Sequence, residues 1–399
     1  MLKKSPFFDF LNRREDMDFP QYLAGFVEDI DYIEWNGYLL PNDYGDSVLE
    51  YGAIRKSCAM FDVSPLRKYR ITGAGSGAFL DRLLTRPASL ATPMRGIYVV
   101  FCNEDGSLKD DAILHKYSDD DYLLLPSDMD HSAYFGELLE KFDIQEVTII
   151  DCTHSWVGFA LQGPLSATVM SRMGFDRIEQ LEPFGITDFP LEEGVIRVAR
   201  MGFTADLGYE CWFQPAQCSA IEKRIRSARD SLKLAIPGYG LTALQACRLE
   251  GGFIVAGWDC ATEADPRPGF ERSPLELGLG WLVDLDAIPF VGKEALLEQQ
   301  SRGKQFTIRS FEMNTRRAPE DGATLYALVD SREQAIGSVN CSAWSETLGR
   351  MIGNASIKDR YADVGSAWTE LDGEAVTAAL SNPPLLKLER ARQVPAPLK

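Results

Sequence analysis

Residues 103–113, Asn-Glu-Asp-Gly-Ser-Leu-Lys-Asp-Asp-Ala-Ile, decide how this chain is read. Residues 97–102 before them have strand character, 103–106 form a turn, and 108–117 read as the returning strand. Successive side chains of a strand point to opposite faces. Leu108, Asp110, Ala112 and Leu114 therefore share one face, and Lys109, Asp111, Ile113 and His115 the other. Asp110 falls in an otherwise apolar row, where an ionised carboxylate is costly without a partner. That makes it a candidate for chemistry, against the plainer alternative of a turn acceptor or half of a structural ion pair. Asp111, in the more polar row, has the easier environment.

Outward from this hairpin, residues 122–125 add a third strand of a meander. Residues 147–151 and 157–161 are further strands, the latter leading through Gln162-Gly163-Pro164 into a helix that Pro164 opens. Residues 195–201 and 209–213 form another strand pair around a Gly-rich loop, and 240–250 has helical spacing. Beyond a short helix at 292–300, short strands broken by Gly, Asp, Ser and Asn predict an all-β C-terminal unit, a barrel or sandwich. Residues 1–34, with Phe and Asp interleaved, are expected to lie as an arm on the surface.

The bulk numbers narrow the function. With 399 residues the chain has room for two or three cores. A formal net charge of −18 and the absence of any basic run exclude a phosphate-backbone partner, so no nucleic acid is expected. No apolar run approaches the ~20 residues a membrane span needs, and the N-terminus lacks the apolar core of a signal peptide; a cytoplasmic protein with no membrane partner is expected. Eight cysteines without a Cys-x-x-Cys pair, and only three histidines, predict reduced thiols and metal-free chemistry carried by carboxylates and aromatics. Gly73-Ala74-Gly75-Ser76-Gly77-Ala78 fits a loose dinucleotide-binding turn. The hairpins that follow are not the parallel units such a site needs, so a tight strand-to-helix turn is the reading.

An ordered series of short motifs resembles the folate-dependent aminomethyltransferase family, the T-protein superfamily. The series runs Leu40-Pro41-Asn42-Asp43-Tyr44, Phe61-Asp62-Val63-Ser64, Gly106 to Asp110-Asp111 and Gln162-Gly163-Pro164. It continues with Gly202-Phe203-Thr204, Gly208-Tyr209-Glu210, Arg248-Leu249-Glu250, Ser273-Pro274-Leu275 and Phe290-Val291-Gly292. The resemblance implies a T-protein-like α+β multidomain fold with antiparallel sheets and a C-terminal β-barrel around a central tetrahydrofolate site. The expected divisions are an arm at 1–34, a folate-binding α+β region at 35–285 and the barrel at 286–399.

By matching position, the resemblance makes Asp110 the catalytic acid and Glu210 the residue that grips the pterin. A carboxylate suits that task, because it presents two acceptors to paired N–H donors. Tyr44, Tyr209, Asp111 and Arg248 complete the expected cofactor-binding set, although Arg248 and Glu250 also read as a local structural pair. Three positions depart from the glycine-cleavage pattern: Leu244 stands where those members have a folate-contacting Arg, Leu385 where they have an aromatic, and Pro126 where they have Asn. Lys4-Ser5-Pro6-Phe7 and residues 285–292 lean instead toward the demethylase cousins, yet the sulfonium branch of these has Asn where Asp110 stands. The expected activity is transfer of a methyl group from a small N-, S- or O-methylated donor to tetrahydrofolate. The alternatives are an aminomethyltransferase with a lipoyl carrier protein, disfavoured by Leu244 and by the acidic charge, and a non-catalytic folate-binding regulator.

Overall fold

The computed structural model describes residues 2–12, 30–127, 129–191 and 194–395. The meander lies in a five-stranded antiparallel sheet in the order Arg95–Cys102, Leu108–Ser118, Asp121–Pro126, Tyr69–Thr72, Thr148–Asp151. Its apolar row holds at Ala112 and Leu114, buried against Phe79, Leu83 and Phe135 of the helices Ser76–Leu83 and Ser132–Lys141, but a register shift at Phe101/Cys102 takes Leu108 out of that row and into a separate cluster with Val100 and Ile254. Gly73 and Gly75 open the first of these helices because a Cβ at either would come within 2.1 Å of a backbone oxygen of Glu146 or Gln145. The Gly-rich stretch is thus a close-packing turn in an antiparallel sheet.

A second antiparallel sheet runs Ile186–Leu191, Gly194–Ala199, Gly208–Phe213, Val157–Gln162, Ala59–Asp62. Its outer face, with Phe159, Leu161, Cys211 and Phe213, is covered by the helices Ser166–Arg172 and Cys218–Leu232. Its inner face presents Phe61, Ala160 and Trp212. These pack in one cluster with Leu123 and Leu125 of the first sheet and with Leu244 and Cys247 of the helix Leu241–Gly251. The inner cluster is where the two sheets and that helix meet. Gln162 explains why its motif travels with two distant glycines: a Cβ at Gly202 or Gly208 would lie 2.0 or 2.1 Å from its amide. Thr204 Oγ1 donates to the Gln162 side-chain Oε1 at 2.8 Å, closing the lock.

The C-terminal strands close into a six-stranded antiparallel barrel, Phe306–Met313, Arg350–Lys358, Arg332–Ser345, Thr324–Val329, Ser366–Leu371, Glu374–Ser381. A buried ionic network ties it to the rest. Arg55 donates to Glu250 Oε2, to Asp206 Oδ2 at 3.1 Å and to the Thr204 carbonyl at 2.8 Å. Arg390, near the C-terminus, reaches the same Asp206 at 2.7 Å, and Ser345 of the barrel donates to Glu250. Glu250 thus pairs with Arg55 rather than with Arg248, unlike the local pairing expected from the sequence.

Of the arm expected at 1–34, residues 1 and 13–29 lie outside the described residues, and the described part is anchored. Phe7 and Leu11 are buried in the outer core of the second sheet, Phe7 stacked on Phe159 with ring centroids 5.4 Å apart. Asp31–Trp35 pairs with Tyr38–Asp43 as a hairpin. The polar residues interleaved along this segment hid the few apolar anchors that set its position.

Candidate active site

The adjacent carboxylates of the meander have opposite fates. Asp110 is fully buried and its oxygens are taken: Ser127 Oγ donates to Oδ2 at 2.8 Å, His131 Nε2 lies 2.8 Å from the same oxygen, and the Asp111 N–H donates to Oδ1. His131 is itself buried edge-on to Phe101, centroids 5.0 Å apart. This is a satisfied polar pair inside an apolar core.

Asp111 pairs in register with Val100, one alternation along from Tyr98 opposite Ile113. It accepts from the Tyr98 hydroxyl at 3.1 Å and from the Ala256 backbone N–H at 3.0 Å. No cation pairs with it among the described residues. Burial, and secondarily the charge of Asp110, push its carboxyl well above the usual carboxylate range. The Tyr98 hydroxyl is raised for the same reasons, burial first and Asp111 second. A carboxyl kept from ionising easily, with a hydroxyl and one amide to hold it in place, is equipped to exchange a proton near neutrality.

Glu210 lies on the inner face of the second sheet, opposite Ala160 on one side and Ala199 on the other, in the same row as Trp212. Burial pushes its carboxyl up to about 7. The Trp212 indole N–H counters part of that shift, yet it makes no hydrogen bond and stays buried without a partner. Glu210 makes no ion pair among the described residues. A desolvated, unpaired carboxylate beside an orphaned N–H and an indole ring fits a flat heterocycle carrying paired N–H donors and an acceptor. These residues fit the pterin of tetrahydrofolate. Ile113, next on the Asp111 face, packs against the same inner cluster that holds Trp212.

Tyr209 and Arg248 are committed to other contacts. Tyr209 is fully buried in the outer core, its hydroxyl 3.3 Å from the Ile178 carbonyl, on the face opposite Glu210. Arg248 is fully buried and spent: its guanidinium pairs with Asp259 at 2.5 Å and donates to Gln245, the Phe253 carbonyl and Cys341. It welds the helix Leu241–Gly251 to the barrel, with four of its five N–H donors already used. Tyr44 packs against the outer core, its ring filling the space above Gly238, where a Cβ would come within 2.5 Å. Trp212 shares the strand face of Glu210 as alternation predicts, whereas Tyr98 was missed. Strand alternation was the available signal, since Tyr98 shares a face with the partner row of Asp111.

Two antiparallel layers and a barrel around a site of desolvated carboxylates and aromatics are the architecture of a folate-type one-carbon enzyme. The chain belongs to the family described as the GCVT N-terminal domain, matched over residues 29–287, and thereby to the T-protein superfamily of folate-dependent one-carbon-transfer enzymes. It is 28% identical over 337 residues to an aminomethyltransferase of Halothermothrix orenii, covering 84% of this chain and 90% of that protein. A second aminomethyltransferase, from Caldanaerobacter subterraneus subsp. tengcongensis, is 28% identical over 366 residues, with 92% and 90% covered. The glycine cleavage system aminomethyltransferase T from Bartonella henselae superposes with a TM-score of 0.80 at 20% identity, over 99% of this chain and 100% of that one, and so shares its fold.

Proposed function

We propose that this chain moves a one-carbon unit from a small donor to N5 of tetrahydrofolate, with Asp111 acting at the reacting centre and Glu210 anchoring the pterin. The observation that carries this assignment is the contrast within the Asp110–Asp111 pair. Asp110 is saturated by Ser127, His131 and a backbone N–H, whereas Asp111 is desolvated, lacks a cation and is held only by Tyr98 and Ala256. The catalytic role expected of Asp110 therefore passes to its neighbour, and Asp110 becomes the residue that holds the strand in place.

When bound, tetrahydrofolate supplies the nucleophilic nitrogen that accepts the carbon. The chain's own groups do the rest. The Glu210 carboxylate accepts from the paired N–H donors of the pterin and fixes its orientation. The ionised Asp111, held by the Tyr98 hydroxyl and the Ala256 N–H, would stabilise positive charge developing on the transferred carbon and then take up the proton that N5 loses as its bond to that carbon forms. Phe61, Trp212 and Leu244 exclude water on one side.

Aminomethyl transfer is the reading that the relatives' names support. Methyl transfer is the second reading. It is favoured by Leu244, 8% exposed within the inner cluster, where the glycine-cleavage members place an arginine. A free small-molecule donor suits the chain better than a lipoyl carrier, because the net charge of −18 repels an acidic carrier. The test is mass spectrometry of folate products over a panel of N-, S- and O-methyl and aminomethyl donors, with wild type and Asp111→Asn side by side. Methylene-tetrahydrofolate identifies aminomethyl transfer and methyl-tetrahydrofolate a demethylase. Undiminished product from Asp111→Asn overturns the role of Asp111, and failure to bind tetrahydrofolate overturns the whole reading.

A further inference from the structure

A second cavity, of about 440 Å³, opens where the turn of the meander, the helix Lys293–Arg302 and the start of the barrel strand Phe306–Met313 meet. That is within the range of about 300–1,000 Å³ that small-molecule sites occupy. Its wall contains neither Asp111 nor Glu210. Two motifs that the folate reading leaves unused, Ser273-Pro274-Leu275 and Phe290-Val291-Gly292, build it. Gly292 lets the helix close on the turn, because a Cβ there would come within 2.5 Å of the Asn103 carbonyl oxygen. Ser273 Oγ donates to Gln299 Oε1 at 2.6 Å, and the Ser273 N–H donates to Glu276 at 3.0 Å.

The polar side chains of the wall divide into spent and available. Glu276 is spent, since it also accepts from the backbone N–H groups of Gln305 and Phe306 at 3.1 and 3.2 Å. Arg272 and Gln299 are 4% and 8% exposed, yet each keeps an uncommitted donor. Arg272 donates from Nε to Ser356 and from Nη1 to the carbonyls of Gly269 and Glu271, which leaves Nη2 without a hydrogen bond among the described residues. Its Cζ lies 3.8 Å from the Phe306 ring centroid, which fixes the guanidinium plane. Gln299 accepts through its oxygen, and its Nε2 donates to nothing among the described residues. Two donors on buried side chains at one wall select a ligand with paired acceptors, and a carboxylate supplies them.

The opposite charge comes from the exposed residues of the same wall. Asp105 holds the Ser107 N–H and hydroxyl through Oδ1, and Glu271 holds the Gly269 N–H through Oε2, so each presents a second oxygen. Neither pairs with a cation among the described residues, and Arg302 of the wall lies 3.4 Å from Glu298 instead. A bare anion is repelled by Asp105 and Glu271, and a bare cation by Arg272; a molecule carrying both charges satisfies both ends. We propose that this cavity binds a free amino acid, with its carboxylate on Arg272 Nη2 and Gln299 Nε2 and its ammonium toward Asp105 and Glu271. The site is independent of the one-carbon reading. It adjoins the strand of the paired aspartates, because the Arg272 carbonyl accepts from the Leu108 N–H at 2.7 Å.

The test is calorimetric titration of the full-length protein, without folate, with alanine, 4-aminobutanoate, propionate and ethylammonium. Saturable binding of an amino acid, about tenfold tighter than propionate or ethylammonium, is expected. Gln299→Glu keeps the acceptor for Ser273 but sets a negative charge against the carboxylate, and should weaken the amino acid by about tenfold. Asp105→Asn combined with Glu271→Gln, both at exposed side chains, should weaken it by a similar factor while tightening propionate. Tetrahydrofolate affinity should be unmoved in these variants. Absence of amino-acid binding overturns the proposal, as does propionate binding equally well, or amino-acid binding unmoved by these substitutions in protein of wild-type melting temperature. If the amino acid binds as expected and tetrahydrofolate does not bind at all, this site stands and the one-carbon reading fails.

Discussion

The two faces of the strand Leu108–Ser118 carry neighbouring aspartates into opposite surroundings. On one face Asp110 is buried among Phe101, Leu114 and Phe135, yet every oxygen has a donor. On the other, Asp111 keeps a hydroxyl and an amide but no cation, and its carboxyl is held above the normal range. Depth of burial does not separate a structural acid from a reactive one. What separates them is whether the charged form has been satisfied.

Four substitutions break or sharpen this contrast. Asp111→Asn removes the proton acceptor while keeping its shape, and turnover should fall by about 10²–10⁴-fold in steady-state assays, with the melting temperature unchanged or raised. Asp110→Asn should do the reverse. It leaves His131 facing a neutral amide in the core, so stability should fall by about 2–4 kcal/mol in denaturant titrations, while the folded fraction keeps most of its turnover. Equal loss of turnover in both variants would erase the distinction.

Glu210→Gln extends the comparison to the second sheet. A Glu210 carboxyl raised to about 7 is ionised, and able to accept from the pterin, only above that pH. Tetrahydrofolate affinity should therefore weaken as the pH falls through 7 in wild type, whereas the variant should bind about 10–100-fold more weakly with a flat profile. The sign for stability is opposite. A carboxyl with a raised folded value makes its favourable contribution at low pH and loses it as the pH rises through about 7, so the ligand-free variant should gain about 1–3 kcal/mol over wild type at pH 8 and nothing at pH 4. The smallest effect belongs to Tyr98→Phe. It removes one hydrogen bond to Asp111 and should lower turnover by about tenfold or less, with folate affinity kept.

Much of the fold was legible in the chain because periodicity and turn chemistry are local. The meander, the strand pair ending at Phe213, the helix Leu241–Gly251 and an all-β C-terminal unit follow from alternation and Gly placement. The site was legible only in part. Period two put Asp110 and Asp111 on opposite faces correctly, but it carried no knowledge of what waited across each face. His131 and Ser127 reach Asp110 from beyond the third strand, and Ala256 reaches Asp111 from more than a hundred residues away. The apolar row made Asp110 look deprived when it was the better supplied of the two. Arg248 misled in the same manner, since its partner Asp259 lies past a turn that no helical spacing connects to it. Partners supplied by tertiary contact decide a charged residue's role, and they leave no mark on the local pattern.

Asp206 accepts both Arg55, from the helix Ser47–Lys56, and Arg390, from the last described turn of the chain. Glu250, sharing Arg55, also receives Tyr51 and the barrel's Ser345. These buried charges cannot be separated one layer at a time without stranding an ion in a dry interior. The barrel, the sheets and the C-terminal segment should consequently melt in one transition. A chain shortened before Arg390 would lose its heat resistance throughout, including at strands that the missing residues never touch.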